Sequence, residues 1–185
     1  LELAFEEFDC KPWVLEKKLS LDTEVSVVLA RASNGEKVNF PVIENQHVSG
    51  ILDISIAPAR VANSLCYEAI HYAELIAKKL NYIGVIAVEF FISNEKIYVN
   101  EVAPRPHNSG HHSLDSCDFD QFDQQVFTLT DSPLNNPKLL ENAVMVNLLG
   151  DIWFKKHKLA PPNFDIFEGS SKEVLHIYGK SEARP

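Results

Sequence analysis

The stretch YIGVIAVEFFI, Tyr82 to Ile92, constrains this chain more than any other. Apolar residues run through it almost without a break, so it reads as a strand buried on both faces. Such a strand needs a layer of structure above and below its sheet. SNEK follows as a turn signal, and IYVNEVA returns antiparallel to the first strand. One charged residue, Glu89, sits inside the apolar run.

Neighbouring segments supply the layers. From Asn63 a helix, with Asn63 or Ser64 as its cap, carries Leu65, Ala69, Tyr72, Ile76 and Leu80 at spacings of three and four. A second helix, capped by Asp118 or Asp120, turns Phe119, Phe122, Val126 and Leu129 inward. WVLEKKL and EVSVVLARA read as strands, and SNGE as the turn into KVNFPVIEN. GILDISIAPAR sets Leu52, Ile54 and Ile56 on one face against Asp53 and Ser55 on the other, and AVMVNLLG and EVLHIYG are later strands. LELAFEEF is a short helix with a stripe of Leu1, Phe5 and Phe8. The class is α/β, a mainly antiparallel sheet flanked by helices.

Charge and cysteine usage exclude several roles. A net charge of −9 argues against a nucleic-acid binder, which needs basic groups to pair with phosphates. Cys10, Cys66 and Cys117 are too far apart for a disulfide framework or a zinc site, so the simplest reading is a reducing, cytoplasmic setting. No apolar run is long enough to span a bilayer.

The chemistry concentrates on the hairpin and just beyond it. With the turn near Asn94–Glu95, Glu89 falls opposite Glu101 or within about one residue of it. Two ionised carboxylates facing each other repel, so one must take up a proton or both must share a cation. Magnesium suits them, being a hard ion often held by one or two carboxylates plus water and phosphate oxygens. A one-residue slip would instead leave one Glu in solvent. Asn100 is a further candidate, although in a regular strand it would point away from Glu101. Next comes APRPHNSGHH, Ala103 to His112. Two prolines stiffen the backbone around Arg105, whose guanidinium matches a planar carboxylate, bicarbonate or phosphate. His107, Asn108 and Ser109 add donors and a titratable group, and Gly110 permits close approach or positive φ. His107, His111 and His112 also fit a polar surface loop, and they lack acidic or cysteine partners at a zinc spacing.

VLEKKLSLDTEVSVV, FPVIENQH, GVIAVEFF and VNEVAPRPHNSGHH together resemble the 5-(carboxyamino)imidazole ribonucleotide synthase family of ATP-grasp enzymes in purine biosynthesis. The resemblance implies a set of roles. Glu16, Lys17, Lys18 and Leu19 would form the hinge that holds adenine, and Glu24 would hold the ribose hydroxyls. His47 would lie at the nucleotide site. Glu89 and Glu101, with Asn100, would take magnesium and phosphate. Arg105, His107 and Asn108, with Ser109, would handle bicarbonate, carboxyphosphate or the acceptor amine. Lys180 and Arg184 would lie near the acceptor's phosphate. Implied partners are ATP, bicarbonate, 5-aminoimidazole ribonucleotide and a second copy of the chain in a homodimer.

The family pattern is incomplete in this sequence. The amino-terminal Rossmann-like domain and the lysine and glycine-rich loop of the lid have no counterpart. Residues 1–21 read as the remnant of the lid and hinge, 22–135 as the ATP-grasp core and 136–185 as an incomplete carboxy-terminal β-rich extension. By itself the chain is expected to be inactive. Alternatives are another ATP-grasp ligase, such as a formyl-transferring enzyme of the same pathway, or a non-catalytic nucleotide-binding or dimerisation module. Asn108-Ser109 stands where the formyl-transferring enzyme has Asp-Thr, which counts against the first.

Overall fold

The computed structural model describes residues 2–7, 11–155, 158–160, 162–164 and 172–179. Its elements are α1 (Glu2–Glu7), β1 (Thr23–Arg31), β2 (Lys37–Asn39), β3 (Ile43–Val48), β4 (Ile51–Ala57), α2 (Asn63–Lys79), β5 (Gly84–Ser93) and β6 (Lys96–Ala103). After a single 3-10 turn at Asn108–Gly110 come α3 (Ser113–Ser116), α4 (Gln121–Leu129), β7 (Ala143–Val146), a 3-10 turn at Gly150–Trp153, β8 (Phe154–Lys155) and β9 (Lys158–Leu159). Strands β1 to β7 make one sheet in the order β6-β5-β1-β3-β4-β7, with β2 beside the end of β1. All its pairings are antiparallel.

Helix α2 covers one face. Ala69, Ala73 and Ala77 form its buried stripe and pack on Val25, Val27, Leu29, Ile86, Val88, Phe90 and Ile92. Residues this small let the helix approach the strands closely. Leu65, Tyr72 and Ile76 pack at its flanks, but Leu80, expected inward, is exposed. Neither Asn63 nor Ser64 caps α2. Ala62 stands at the N-cap position and makes no side-chain cap bond.

The opposite face changes character along its strands. At one end Val28, Ala30, Ile43, Val85, Ala87 and Ala103 form a second apolar cluster with Phe40, Cys117 and Leu134, and α4 packs over β1 and β5 there. Two residues along each strand the same face becomes polar, because side chains alternate with period two. Ser26 follows Val28, Glu24 follows Ser26, and Glu89 follows Ala87. On β3 and β4, Asn45 and Ser55 share this face. Ser55 is fully buried and donates to Asn45 Oδ1 at 3.0 Å, and Asn45 Nδ2 donates to Ser26 Oγ at 2.7 Å. At Ser55 the polar side of β4 is therefore closed by hydrogen bonds.

Three further expectations are corrected. WVLEKKL is irregular and mostly exposed, since no described strand pairs with it. EVLHIYG is likewise irregular. Pro41 lies at a break that splits KVNFPVIEN into β2 and β3, because proline lacks the N–H a ladder needs. In α1, Phe5 is exposed, and Leu1 and Phe8 lie outside the described residues.

Candidate active site

The site begins with the hairpin register. Asn94 and Glu95 both take positive φ, 51° and 58°, the backbone of a two-residue turn that pairs Ser93 with Lys96. Strict counting from that turn would set Glu89 opposite Asn100. The register shifts between Glu89 and Phe90, so Glu89 pairs with Glu101 while Phe90 pairs with Val99. Asn100 is thus the extra residue of a β-bulge. It does not point away as a regular strand would require, and its Nδ2 lies 3.4 Å from Glu89 Oε2. The two carboxylates and the amide meet on one face.

Around Glu89 the electrostatics are unfavourable to a second negative charge. The residue is buried at 8% exposure. Burial pushes its carboxyl above the usual range, Glu101 and Glu24 push the same way, and His47 and the Asn100 amide oppose them. His47 is held beside the carboxylates by a 2.5 Å contact from its Nδ1 to Glu24 Oε2. Among the described residues no three His, Cys, Asp or Glu side chains gather to form a metal cage. Two facing carboxylates with an amide oxygen nearby are instead an open, hard-oxygen donor set, which fits magnesium that keeps water and phosphate ligands.

The loop after β6 closes over this patch and contacts β1, β3 and β4. Arg105 is exposed, its N–H bonded to Ala103 O at 2.8 Å and its Nη1 donating to Pro106 O at 3.0 Å. His107 is buried, with Nε2 3.8 Å from Glu89 Oε1. Its Nδ1 is engaged by Ser109, 2.9 Å from the Oγ and 3.4 Å from the backbone nitrogen, and its Nε2 is left on the Glu89 side. Burial and the Arg105 charge hold His107 down to about 4. The titratable group expected at this position is therefore a neutral ring with one nitrogen already engaged. Ser109 is fully buried and Asn108 half-buried, its Oδ1 accepting from the Ser109 N–H at 3.0 Å. His111 and His112 are not on a free surface loop. Burial lowers both, His112 to about 4.

Other expected residues are not brought to this cluster. Glu16, Lys17 and Lys18 are exposed and Leu19 is half-buried in the irregular segment before β1. That segment is tied to the end of β5 by Ser93 Oγ donating to Ser20 O and the Asn94 N–H donating to Asp22 Oδ2. Lys180 and Arg184 lie outside the described residues.

Helix α4 departs most from expectation. Asp120 is its cap, in a reciprocal capping box with Asp123. Phe122, Val126 and Leu129 nevertheless face outward, and Gln121, Gln124 and Thr128 are buried. The inward amides serve irregular backbone: Gln121 bonds His107 and Gln124 bonds Asn135 O, while the half-buried Gln125 accepts from the Val85 N–H at the start of β5. Leucines could not satisfy those groups.

Two family models match the chain: one described as ATP-grasp domain over residues 1–122, and one described as phosphoribosylaminoimidazole carboxylase C-terminal domain over residues 143–185. The N5-carboxyaminoimidazole ribonucleotide synthase of Staphylococcus aureus (strain COL) is 40% identical over 190 residues, covering 100% of this chain and 47% of the relative. The crystal structure of N5-carboxyaminoimidazole ribonucleotide synthetase from Thermus thermophilus superposes with a TM-score of 0.82 at 35% identity, over 92% of this chain and 45% of that one. The Staphylococcus aureus synthetase complexed with ADP gives a TM-score of 0.70 at 44% identity, over 74% of this chain and 36% of that one. The chain spans about half the length of the curated relatives it matches. Its hairpin, its bulged carboxylate pair and these matches place it in one group: the chain belongs to the ATP-grasp family.

Proposed function

We propose that the protein carrying this chain uses ATP to carboxylate 5-aminoimidazole ribonucleotide with bicarbonate, giving 5-(carboxyamino)imidazole ribonucleotide, ADP and phosphate. The observation that carries this reading is the meeting of two chemistries on one sheet face. Glu89 and Glu101 pair across the hairpin with the Asn100 amide beside them, which suits a phosphate-bridging cation, and the Arg105–Ser109 loop brings His107 Nε2 to 3.8 Å from Glu89.

Glu89 and Glu101, with the Asn100 side chain beside them, would hold magnesium, which when bound offsets charge on the phosphate oxygens. Glu24 and His47, fixed to each other, would take the ribose end of ATP, and Glu16 to Leu19 the adenine. In the first step a bicarbonate oxygen attacks the γ-phosphorus and ADP leaves, forming carboxyphosphate. In the second, the acceptor amine attacks the carboxyl carbon and phosphate departs, basic enough to take the amine proton. The chain's work is positioning and charge neutralisation. Arg105 would clamp the planar anion through its two-pronged guanidinium. His107 would orient rather than abstract, because its ring is neutral and its Nδ1 is engaged. Asn108 and Ser109 complete the donor set, with Lys180 and Arg184 near the acceptor's phosphate. A homodimer in the cytoplasm is part of the same reading.

An acceptor panel tests it. Phosphate release should depend on bicarbonate together with 5-aminoimidazole ribonucleotide. Release that depends instead on glycinamide ribonucleotide with formate would replace this reading with formyl transfer.

A further inference from the structure

We propose that Gln121 is a positioning residue for the Arg105–Ser109 loop, its side-chain amide clamping the His107 backbone and the His111 ring so that the loop is held over Glu89. The proposal rests on the reading of that loop as the anion and acceptor site.

The geometry is that of a strand partner built from one side chain. Gln121 is fully buried. Its Oε1 accepts from the His107 N–H at 2.8 Å, and its Nε2 donates to His107 O at 2.8 Å. These two bonds fix which way the amide points, since only the oxygen accepts. The second Nε2 hydrogen then meets His111 Nδ1 at 2.8 Å. That nitrogen must present a lone pair, so the His111 proton sits on Nε2. Both backbone groups of the residue facing Glu89 are thereby held by one amide.

Two features surround the clamp and give it no slack. A Cβ built on Gly110 would come within 2.7 Å of Gln121 Oε1 and 2.9 Å of its Cδ, so the amide occupies the space a side chain there would need. Close approach, not positive φ, is why glycine stands at this position. From the helix side, the Gln121 N–H donates to Ser113 Oγ at 3.1 Å, and Ser113 Oγ donates to Gly110 O at 2.6 Å. The Asp120–Asp123 capping box fixes the start of α4, so Gln121 enters the loop from a rigid base. His111 is flanked by the rings of Phe122, stacked at 5.8 Å, and Tyr178, edge-on at 6.3 Å. Burial disfavours a second proton on His111, and the neighbouring His176 and Arg105 act in the same direction.

The test has a spectroscopic and a kinetic arm on the protein that carries this chain, labelled with nitrogen-15 at histidine. In the wild type at neutral pH, His111 should be the neutral tautomer with its proton on Nε2. Gln121→Glu removes the donor to His107 O and sets a carboxylate against His111 Nδ1, so the proton should move to Nδ1. The KM for 5-aminoimidazole ribonucleotide and bicarbonate should rise at least about tenfold, with ADP formed in excess of carboxylated product, while the KM for ATP stays within about twofold. Gly110→Ala, which pushes on the same amide, should act in the same direction. A purely structural role would lower stability and leave the ratio of ADP to product at the wild-type value. That result in either folded variant overturns the proposal, and so does a wild-type His111 protonated on Nδ1. The tautomer measurement keeps the clamp open to refutation even if neither variant folds. Wild-type protein that cleaves ATP without carboxylating the acceptor would overturn the proposed function, and the His111 tautomer would still judge the clamp.

Discussion

Replacing Asn45 with alanine should destabilise the fold far more than its modest size implies. Asn45 lies under the polar face, 3% exposed, between Ser26 on β1 and Ser55 on β4. Ser26 pairs in register with Glu89, so this triad is the floor beneath the carboxylates. Alanine removes the donor to Ser26 Oγ and the acceptor for the Ser55 hydroxyl, and both hydroxyls are fully buried. Each buried polar group left without a partner costs about 1–3 kcal/mol, so the sum is roughly 2–4 kcal/mol once partial relaxation is allowed. For a chain of this length each kcal/mol shifts the melting temperature by about 2–4 °C, giving a fall of about 4–16 °C. The triple variant Ser26→Ala, Asn45→Val, Ser55→Ala removes every polar partner together and should lie within about 1 kcal/mol of wild type, because no group is left unpaired. Urea and thermal unfolding followed by circular dichroism measure both. A single substitution costing less than about 0.5 kcal/mol, or a triple variant as unstable as the sum of its parts, would refute the reasoning.

Stability should fall as pH drops from about 6.5 towards 4, because burial holds His107 and His112 each down to about 4 while the unfolded chain protonates them near 6.5. The unfolded state binds up to two more protons there, a slope of at most about 2.7 kcal/mol per pH unit. Glu89, pushed up by burial, binds its proton more readily when folded and opposes that slope over its own titration. A urea midpoint that stays flat or rises across this range would contradict the buried neutral histidines. Glu101→Gln replaces an ionised oxygen with a neutral one, so turnover should fall by at least about a hundredfold and need more magnesium, while the melting temperature changes by only a few degrees. Unchanged magnesium dependence would remove Glu101 from the metal site. Arg105→Lys keeps the charge and loses the two-pronged geometry, so carboxylation should drop by at least about tenfold with ATP affinity nearly retained. A parallel loss of ATP affinity would move Arg105 to the nucleotide end.

The hairpin was legible because a two-residue turn lets the register be counted outward from Asn94–Glu95, and an apolar run as long as Gly84–Ser93 has few other homes. Counting alone stops one residue short. The bulge at Asn100, which turns a Glu–Asn pairing into a Glu–Glu one, is a local backbone choice with no signature in residue type. Helix α4 shows a different limit. Gln121, Gln124 and Thr128 recur at the same spacings as Phe122, Val126 and Leu129, so periodicity offers two inward faces. Hydrophobicity favours the wrong one. The amides win because Gln121 satisfies the backbone of the site loop and Gln124 that of the segment after α4, needs that exist only once those segments are packed. The same packing removes His107 from the physiological titration range, since burial is a property of the fold and not of the residue.

The most direct test of the coupled chemistry is to follow oxygen from bicarbonate. The protein that carries this chain, given ATP, magnesium, 5-aminoimidazole ribonucleotide and bicarbonate labelled with oxygen-18, is sampled before the label exchanges with water. Phosphorylation of bicarbonate on the Glu89–Glu101 face, followed by carboxyl transfer under the Arg105 loop, leaves a bicarbonate oxygen on each phosphate released. The expected result is singly labelled phosphate formed in step with carboxylated product. Unlabelled phosphate, or labelled phosphate with no carboxylated acceptor, would contradict it.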